Sequence, residues 1–465
     1  MTRQGRAFAV LLAAFPIVLG AGTHGAQRGC GPERVGHTER IDVSTSGAQA
    51  NGVSFRGPIS ADGRFVAFSS YATNLVPDDD NNVEDVFVRD RALKRTIRVS
   101  LTSSGEEADG ASYLPLLSGK AQVVAFRSVA TNFAPGEADR PEGLYVHDLI
   151  TELTERIPLG PTGNNPSRSI NGSLREVCDR WCVNAMSADG NDFVFTSPAG
   201  QLFPRDRNGV RDVFVEAAGR TLLMTRGLHG NANGPSEGSS ISADGRVVAF
   251  RSFASNLVPH DRNRIPDVFV RDRVTGVTER VNVSSSGVEA NRVSFRGMVS
   301  PDGRYVGFRS VASNLVPDDT NRAIDVFVHD RVTDNTTRIS VASDGSEARA
   351  RGFSWHVRNT MFQSRPFLSR NGRYAAFTSR ARNLVRGDTN GHADVFRHDL
   401  QTGETVRVSV PDRGGQASND SRVTGISADG RVVGFMSPAN NLVRGDTNGR
   451  NDYFVRVLGG SCASK

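Results

Sequence analysis

A short motif returns along this chain at intervals that fix its architecture. It is clearest as Ser60-Ala61-Asp62-Gly63-Arg64 followed by Phe65-Val66-Ala67-Phe68, and further copies begin at Ser118 (degenerate), Ser187, Ser242, Ser300, Ser369 and Ser427. The third positions are separated by 58, 69, 55, 58, 69 and 58 residues. A repeat of this size is one supersecondary unit, which cannot bury its own faces and must stack on its neighbours. That overrides the two or three domains a chain of 465 residues would otherwise suggest.

Within each unit the pattern is β. Asp62-Gly63 lies between two strand-like runs, and such a pair tolerates the positive φ of a tight hairpin. Phe65 to Phe68 is a continuous apolar run, as in a strand packed on both faces. Asp85-Val86-Phe87-Val88-Arg89-Asp90 is the next strand and Arg95 to Leu101 the fourth. No segment has a helical period. Four short antiparallel strands, a to d in chain order, repeated seven times, predict an all-β fold: a seven-bladed β-propeller. The seventh unit stops after its third strand, Tyr453-Phe454-Val455-Arg456. Thr38-Glu39-Arg40-Ile41-Asp42-Val43, ahead of the first unit, matches the fourth-strand pattern of Thr278 to Val283. The N-terminal strand is therefore expected to complete the last blade of a single propeller domain spanning residues 31–462.

The motifs S-[AP]-D-G-R-x-[VA]-[AG]-F and D-V-F-V-[RH]-D resemble the TolB-type, WD-like propeller repeats of exported bacterial proteins, over about residues 38–457. The resemblance implies the fold. No counterpart of the α/β domain that precedes the TolB propeller is expected, because the sequence leaves almost no room between the signal segment and the first strand, so TolB's role in envelope assembly is not expected to carry over. The hydrolase domain of prolyl-oligopeptidase relatives is also missing.

Charged residues at 23% and hydrophobic residues at 37% fit a soluble globular protein. The net charge of +6 rests almost wholly on arginine, and the arginines recur at repeat positions such as Arg64, Arg246, Arg304, Arg373 and Arg431. Scaffold work explains that distribution, and no nucleic-acid partner is expected. Arg3, Arg6 and the apolar stretch Ala7 to Gly22 read as a secretory signal over residues 1–26. The stretch is too short for a membrane span and none follows. A secreted, periplasmic or envelope-associated monomer is expected. The four cysteines fit export, and Cys30–Cys462 with Cys178–Cys182 is the most economical pairing. The first of these bonds would staple the ring.

The tight a–b and c–d turns fall on one face of a propeller, and the longer b–c and d–a connections on the other, the candidate binding face. The b–c loops carry D-x-N-x-x-x-D, as Asp79/Asn81/Asp85 and Asp319/Asn321/Asp325, and again from Asp206, Asp261, Asp388 and Asp446. Alternating oxygen ligands on a tight loop suit Ca²⁺. Asn and Asp equally stabilise turns through side-chain-to-backbone bonds. Both readings stay open, with the first copy the stronger ion candidate because Asp78, Asp80 and Glu84 add carboxylates.

Two insertions in d–a connections carry the only tryptophans, Trp181 and Trp355, the latter beside His356. These three are candidate ligand contacts. His147, His329 and His398 share a repeat position with Arg89 and Arg271, which marks them as scaffold. No catalytic residues are assigned. The expected function is non-enzymatic binding of an extracellular or envelope protein or glycan through the loop face. The alternatives are a glycan-active lyase or hydrolase with a dispersed site on that face, and a calcium-stabilised structural surface protein.

Overall fold

Alternating strand sequences joined by S-x-D-G turns build seven four-stranded antiparallel sheets. The computed structural model describes residues 36–133, 142–158, 182–198, 206, 208–349 and 365–459. Blade one is typical, with strand a at Ser54–Phe55, b at Phe65–Ser70, c at Asp85–Asp90 and d at Arg95–Arg98. The blades form a ring, and the fold is the seven-bladed β-propeller that the repeats predict. Among the described residues there is no helix, and so none long and apolar enough to cross a membrane. A short extra hairpin, Arg226–Gly227 with Gly230–Asn231, follows blade three and has no sequence signal of its own.

The ring closes as expected. Strand His37–Arg40 pairs with strand Asp452–Val457, in the register His37 to Val457 through Arg40 to Phe454. A second closure lies at the a–b turns. Ala61 donates its N–H to Gly119 O at 3.0 Å, Gly119 to Ala188 O at 2.8 Å, Ala188 to Ala243 O at 2.9 Å and Ala243 to Pro301 O at 2.8 Å. Pro301 has no N–H, so Asp302 donates instead, to Arg370 O at 3.3 Å; Arg370 then bonds to Ala428 O at 2.9 Å and Ala428 back to Ala61 O at 2.8 Å. One backbone bond per blade thus encircles the axis at the a–b end of the central channel.

The repeat motif explains itself in these contacts. Ser60 Oγ donates to Asp62 Oδ1 at 2.5 Å and accepts the Phe65 N–H at 2.9 Å. Gly63 has φ 73°, and a Cβ there would lie 2.6 Å from Val432 Cγ2 of blade seven; glycine is required on both counts. Arg64 pairs with Asp90 at the end of strand c at 2.6 Å, as Arg246 does with Asp272, Arg304 with Asp330 and Arg373 with Asp399. The final phenylalanine of the motif stacks on the phenylalanine of strand c, Phe68 on Phe87 at 5.6 Å and Phe308 on Phe327 at 5.8 Å, inside a fully buried core.

Strand c and strand d are tied by one further bond in every blade. Arg89 Nη1 donates to Thr96 Oγ1 at 2.9 Å, and His147, His329 and His398 meet Thr154, Thr336 and Thr405 through Nδ1 at 2.9 Å. The threonine hydroxyl donates in turn to the preceding blade, Thr336 to Val283 O at 2.5 Å for example, so the histidine Nδ1 is the donor. These histidines are scaffold, as their repeat position implies.

Candidate functional site

Strand a is the innermost strand of each blade, and two places after its opening serine position three blades carry an arginine. That position is Arg56 in blade one, Arg296 in blade five and Arg365 in blade six. Arg365 Nη1 donates to Ser239 O of blade four at 3.2 Å. Arg296 crosses Gly238 of blade four, where a Cβ would come within 2.3 Å of its Cγ; Gly238 has φ 67°. Burial, with Arg296 and Arg422 nearby, holds the Arg56 guanidinium below the usual arginine range. Burial and then the charges of Arg296 and Arg56 push Arg365 down to about 9.

Two more guanidiniums border this group. Arg309, pushed down to about 10 by burial, lies over the Phe295 ring at 5.5 Å, and Arg251 lies over the same ring at 5.9 Å and over Phe253 at 4.8 Å. Glu237 sits 3.0 Å from Arg251 and 3.8 Å from Arg296. Among the described residues it is the only carboxylate within 4.0 Å of these five arginines. Positive charge therefore exceeds negative charge around the axis, at the end away from the closed backbone ring. Aromatic surface accompanies it: Phe253 is 49% exposed, and Tyr71, 47% exposed, meets Phe55 edge-on at 6.0 Å.

The D-x-N-x-x-x-D loops are all built alike. Asn81 Nδ2 donates to Asp85 Oδ2 at 2.9 Å and to Ala108 O at 3.0 Å, while its Oδ1 accepts the Val83 N–H at 3.0 Å. Asn321 repeats this with Asp325 at 2.9 Å and Ala348 O at 3.3 Å. Asp79, Asp85 and Glu107 bring ligand atoms within 4.8 Å of one another, so an acidic group able to hold a metal does exist in blade one. Arg98 shares that space: it lies 3.5 Å from Asp79 and pairs with Glu107. Burial, with Asp85 close by, pushes Asp79 up to about 6, and Asp319 rises to about 6 for the same reasons.

Trp181, Trp355 and His356 lie outside the described residues, as do Cys30, Cys178, Cys462 and the signal segment. Cys182 opens strand a of blade three, Cys182–Met186. His392 approaches Asp420 at 3.5 Å. A cavity of about 760 Å³ lies at the outer edge, lined by Arg226, His229, Arg271 and the turn around Val277. Sequence reasoning missed the channel arginines. Their signal was a break in the repeat: S-F-R-G stands at Ser54–Gly57 and Ser294–Gly297, where other units carry unrelated residues.

No family model and no curated protein matches the chain. Solved structures do. An oligogalacturonate lyase from Vibrio parahaemolyticus aligns with a TM-score of 0.50 at 10% identity, over 93% of this chain and 99% of that one. An oligogalacturonate lyase in complex with manganese gives 0.50 at 11% identity, over 93% and 98%. A chain from Agrobacterium tumefaciens assigned as TolB gives 0.37 at 15% identity, over 79% and 95%. At these identities the likeness shows the fold: this chain is similar to β-propellers that include enzymes.

Proposed function

We propose that this protein is an exported, non-enzymatic propeller that binds an acidic oligosaccharide at the b–c mouth of its central channel. The observation that carries this reading is the group formed by Arg56, Arg296 and Arg365. These are three neighbouring cations, Arg56 and Arg296 exposed and Arg365 half-buried, for which the described residues supply a single nearby carboxylate, Glu237. Like charges held close together are unfavourable, and an anion that joins them relieves the repulsion. Guanidinium matches a carboxylate in planar, bidentate geometry. Exposed Phe253 and Tyr71 supply flat apolar surface of the kind a sugar face packs against. Two similar folds are described as acting on oligogalacturonate, a polymer of this charge type. Trp181, Trp355 and His356, which lie outside the described residues, are proposed as further ligand contacts.

A lyase reading has one point in its favour: arginines that bind a uronate carboxylate also neutralise it, which eases removal of the adjacent proton. One experiment separates the two. The mature protein is titrated with oligogalacturonate and with a neutral glucan of equal length, and the mixtures are followed for unsaturated sugar product. Saturable binding of the acidic chain alone, with no product, supports a binding protein. Product formation establishes the lyase. Equal binding of the neutral chain removes the proposal.

A further inference from the structure

In blades one, two, five and six the connection from the blade before is bonded to the outer edge of strand d. Thr96 Oγ1 donates to Val43 O at 2.5 Å, and the Thr96 N–H donates to Thr45 Oγ1 at 3.0 Å. Thr154 makes the same two bonds to Leu101 O and Ser103 Oγ, and Thr336 to Val283 O and Ser285 Oγ. Thr405 makes them to Val341 O and Ser343 Oγ. On strand c, Arg89 adds a bond to Ser44 O at 3.1 Å.

Blade four, with strand c at Asp267–Asp272 and strand d at Thr278–Arg280, is entered differently. The spacing into it, 55 residues, is the shortest of the six. In place of the covering turn stands the hairpin of Arg226–Gly227 and Gly230–Asn231. The Leu228 N–H donates to Asn256 O at 2.8 Å and Asn256 Nδ2 to Asn231 O at 2.9 Å, so the hairpin is held on the b–c loop instead. A Cβ on Gly227 would lie 2.5 Å from Asn256 Nδ2, and glycine permits that approach. Thr278, the counterpart of Thr96, accepts a bond from Arg271 at 2.7 Å, and among the described residues no hydrogen bond joins it to the hairpin. The space left over is the cavity of about 760 Å³, a size within the roughly 300–1,000 Å³ of small-molecule sites.

Arg271 is half-buried in the cavity wall and Arg226 is exposed in the hairpin above it. Neither has an ion-pair partner within 4.0 Å among the described residues, and no Asp or Glu lines the cavity. Burial and then the charge of Arg226 hold the Arg271 guanidinium below the usual arginine range, whereas Arg89, at the same repeat position, has Glu39 and Asp90 near it. Leu228, Leu257, Pro259 and Val277 supply apolar lining. We propose that this cavity binds a small aliphatic carboxylate, its anionic head between Arg226 and Arg271 and its chain against those four residues. Guanidinium matches a carboxylate in planar geometry. The body is aliphatic because no Phe, Tyr or Trp lines the cavity to stack on a ring or a sugar face. The site lies at the outer edge of blade four and does not depend on the channel arginines.

The test is calorimetric titration of the full protein at pH 8 with hexanoate, and in parallel with hexanol and with inorganic phosphate. The expected result is saturable binding of hexanoate at one site, tighter than either control by about tenfold or more. Arg271→His and Arg226→Gln should each weaken hexanoate binding by about tenfold or more. Arg271→His should keep the parent's Tm, because histidine stands at this position in blades two, five and six and bonds to the strand d threonine there. At pH 8 the new histidine is neutral, its ordinary pKa being about 6.5. If Arg271→His lowers Tm, Arg226→Gln, at an exposed position, decides alone. Hexanoate affinity unchanged in the variants overturns the proposal. Equal affinity for hexanol, which would mean a merely apolar groove, or for phosphate, which would mean a plain anion site, also overturns it.

Discussion

Arg365 of blade six donates to the carbonyl of Ser239 in blade four, 3.2 Å away and past the whole of blade five. That bond fixes one guanidinium near the axis and leaves it beside two others. A side chain held among like charges is placed for a ligand and adds little to the fold.

The first prediction follows from that strain. Arg56→Gln and Arg365→Gln each remove a charge that neighbouring cations oppose. Thermal unfolding in the absence of ligand should show a Tm equal to or above that of the parent. A fall of several degrees in both variants would mean that these arginines are structural members of the channel wall.

Ring closure contains a second strained group. Asp42 is completely buried, its Oδ2 has no hydrogen-bond partner, and its carboxyl is raised well above the usual range by burial and then by Asp452. A carboxyl raised on folding contributes stability that is present below its unfolded pKa of about 3.9 and is lost as pH rises through the folded value. Blade four shows the remedy: there Asn282 donates to Asp267 at 2.5 Å and accepts the Val268 N–H at 2.9 Å. Asp42→Asn should therefore stabilise the protein by about 1–3 kcal/mol at pH 8. The gain over the parent should shrink steadily towards pH 4. A gain independent of pH would show that charge is not the cause.

The histidines titrate in the opposite sense. Burial holds His147, His329 and His398 below the ordinary histidine value. Their contribution is present above about pH 6.5 and is lost as pH falls through the lowered values. Replacing all three by arginine, the residue at this position in blades one, four and seven, should flatten the decline in Tm between about pH 6.5 and 5 relative to the parent. An unchanged decline would place the acid sensitivity elsewhere.

Deleting residues 31–45 removes the closing strand and with it Thr38, whose Oγ1 donates to Val410 O at 2.7 Å and accepts from Arg456 at 3.0 Å. The backbone bond from Ala428 to Ala61 remains, so the ring should still assemble, with Tm lower by at least about 5 °C. Equal stability would show that the turn-to-turn bonds alone close the propeller.

Seven blades were legible because S-x-D-G-R and D-V-F-V, or variants of them, mark strands b and c along the chain even where unit two is degenerate, and Thr38-Glu39-Arg40 repeats the strand d pattern. The histidine position was legible for the same reason. The channel was not. Arg56 and Arg296 are 240 residues apart and Arg365 lies 69 further along the chain, and they meet only once the ring brings blades one, five and six around an axis. The D-x-N-x-x-x-D loops were visible, but their electrostatic partner was not. Arg98 and Arg280 belong to strand d, and nothing local shows that they enter the loop of strand c.

The central claim is tested most directly by the affinity of the mature protein for oligogalacturonate, measured calorimetrically for the parent, Arg56→Gln and Arg365→Gln at low and high salt. The predicted result is that each substitution weakens binding by 10- to 100-fold, about 1.4–2.8 kcal/mol, that salt weakens the parent's binding further, and that Tm does not fall. Affinity unchanged by both substitutions would contradict the claim that these arginines hold the ligand.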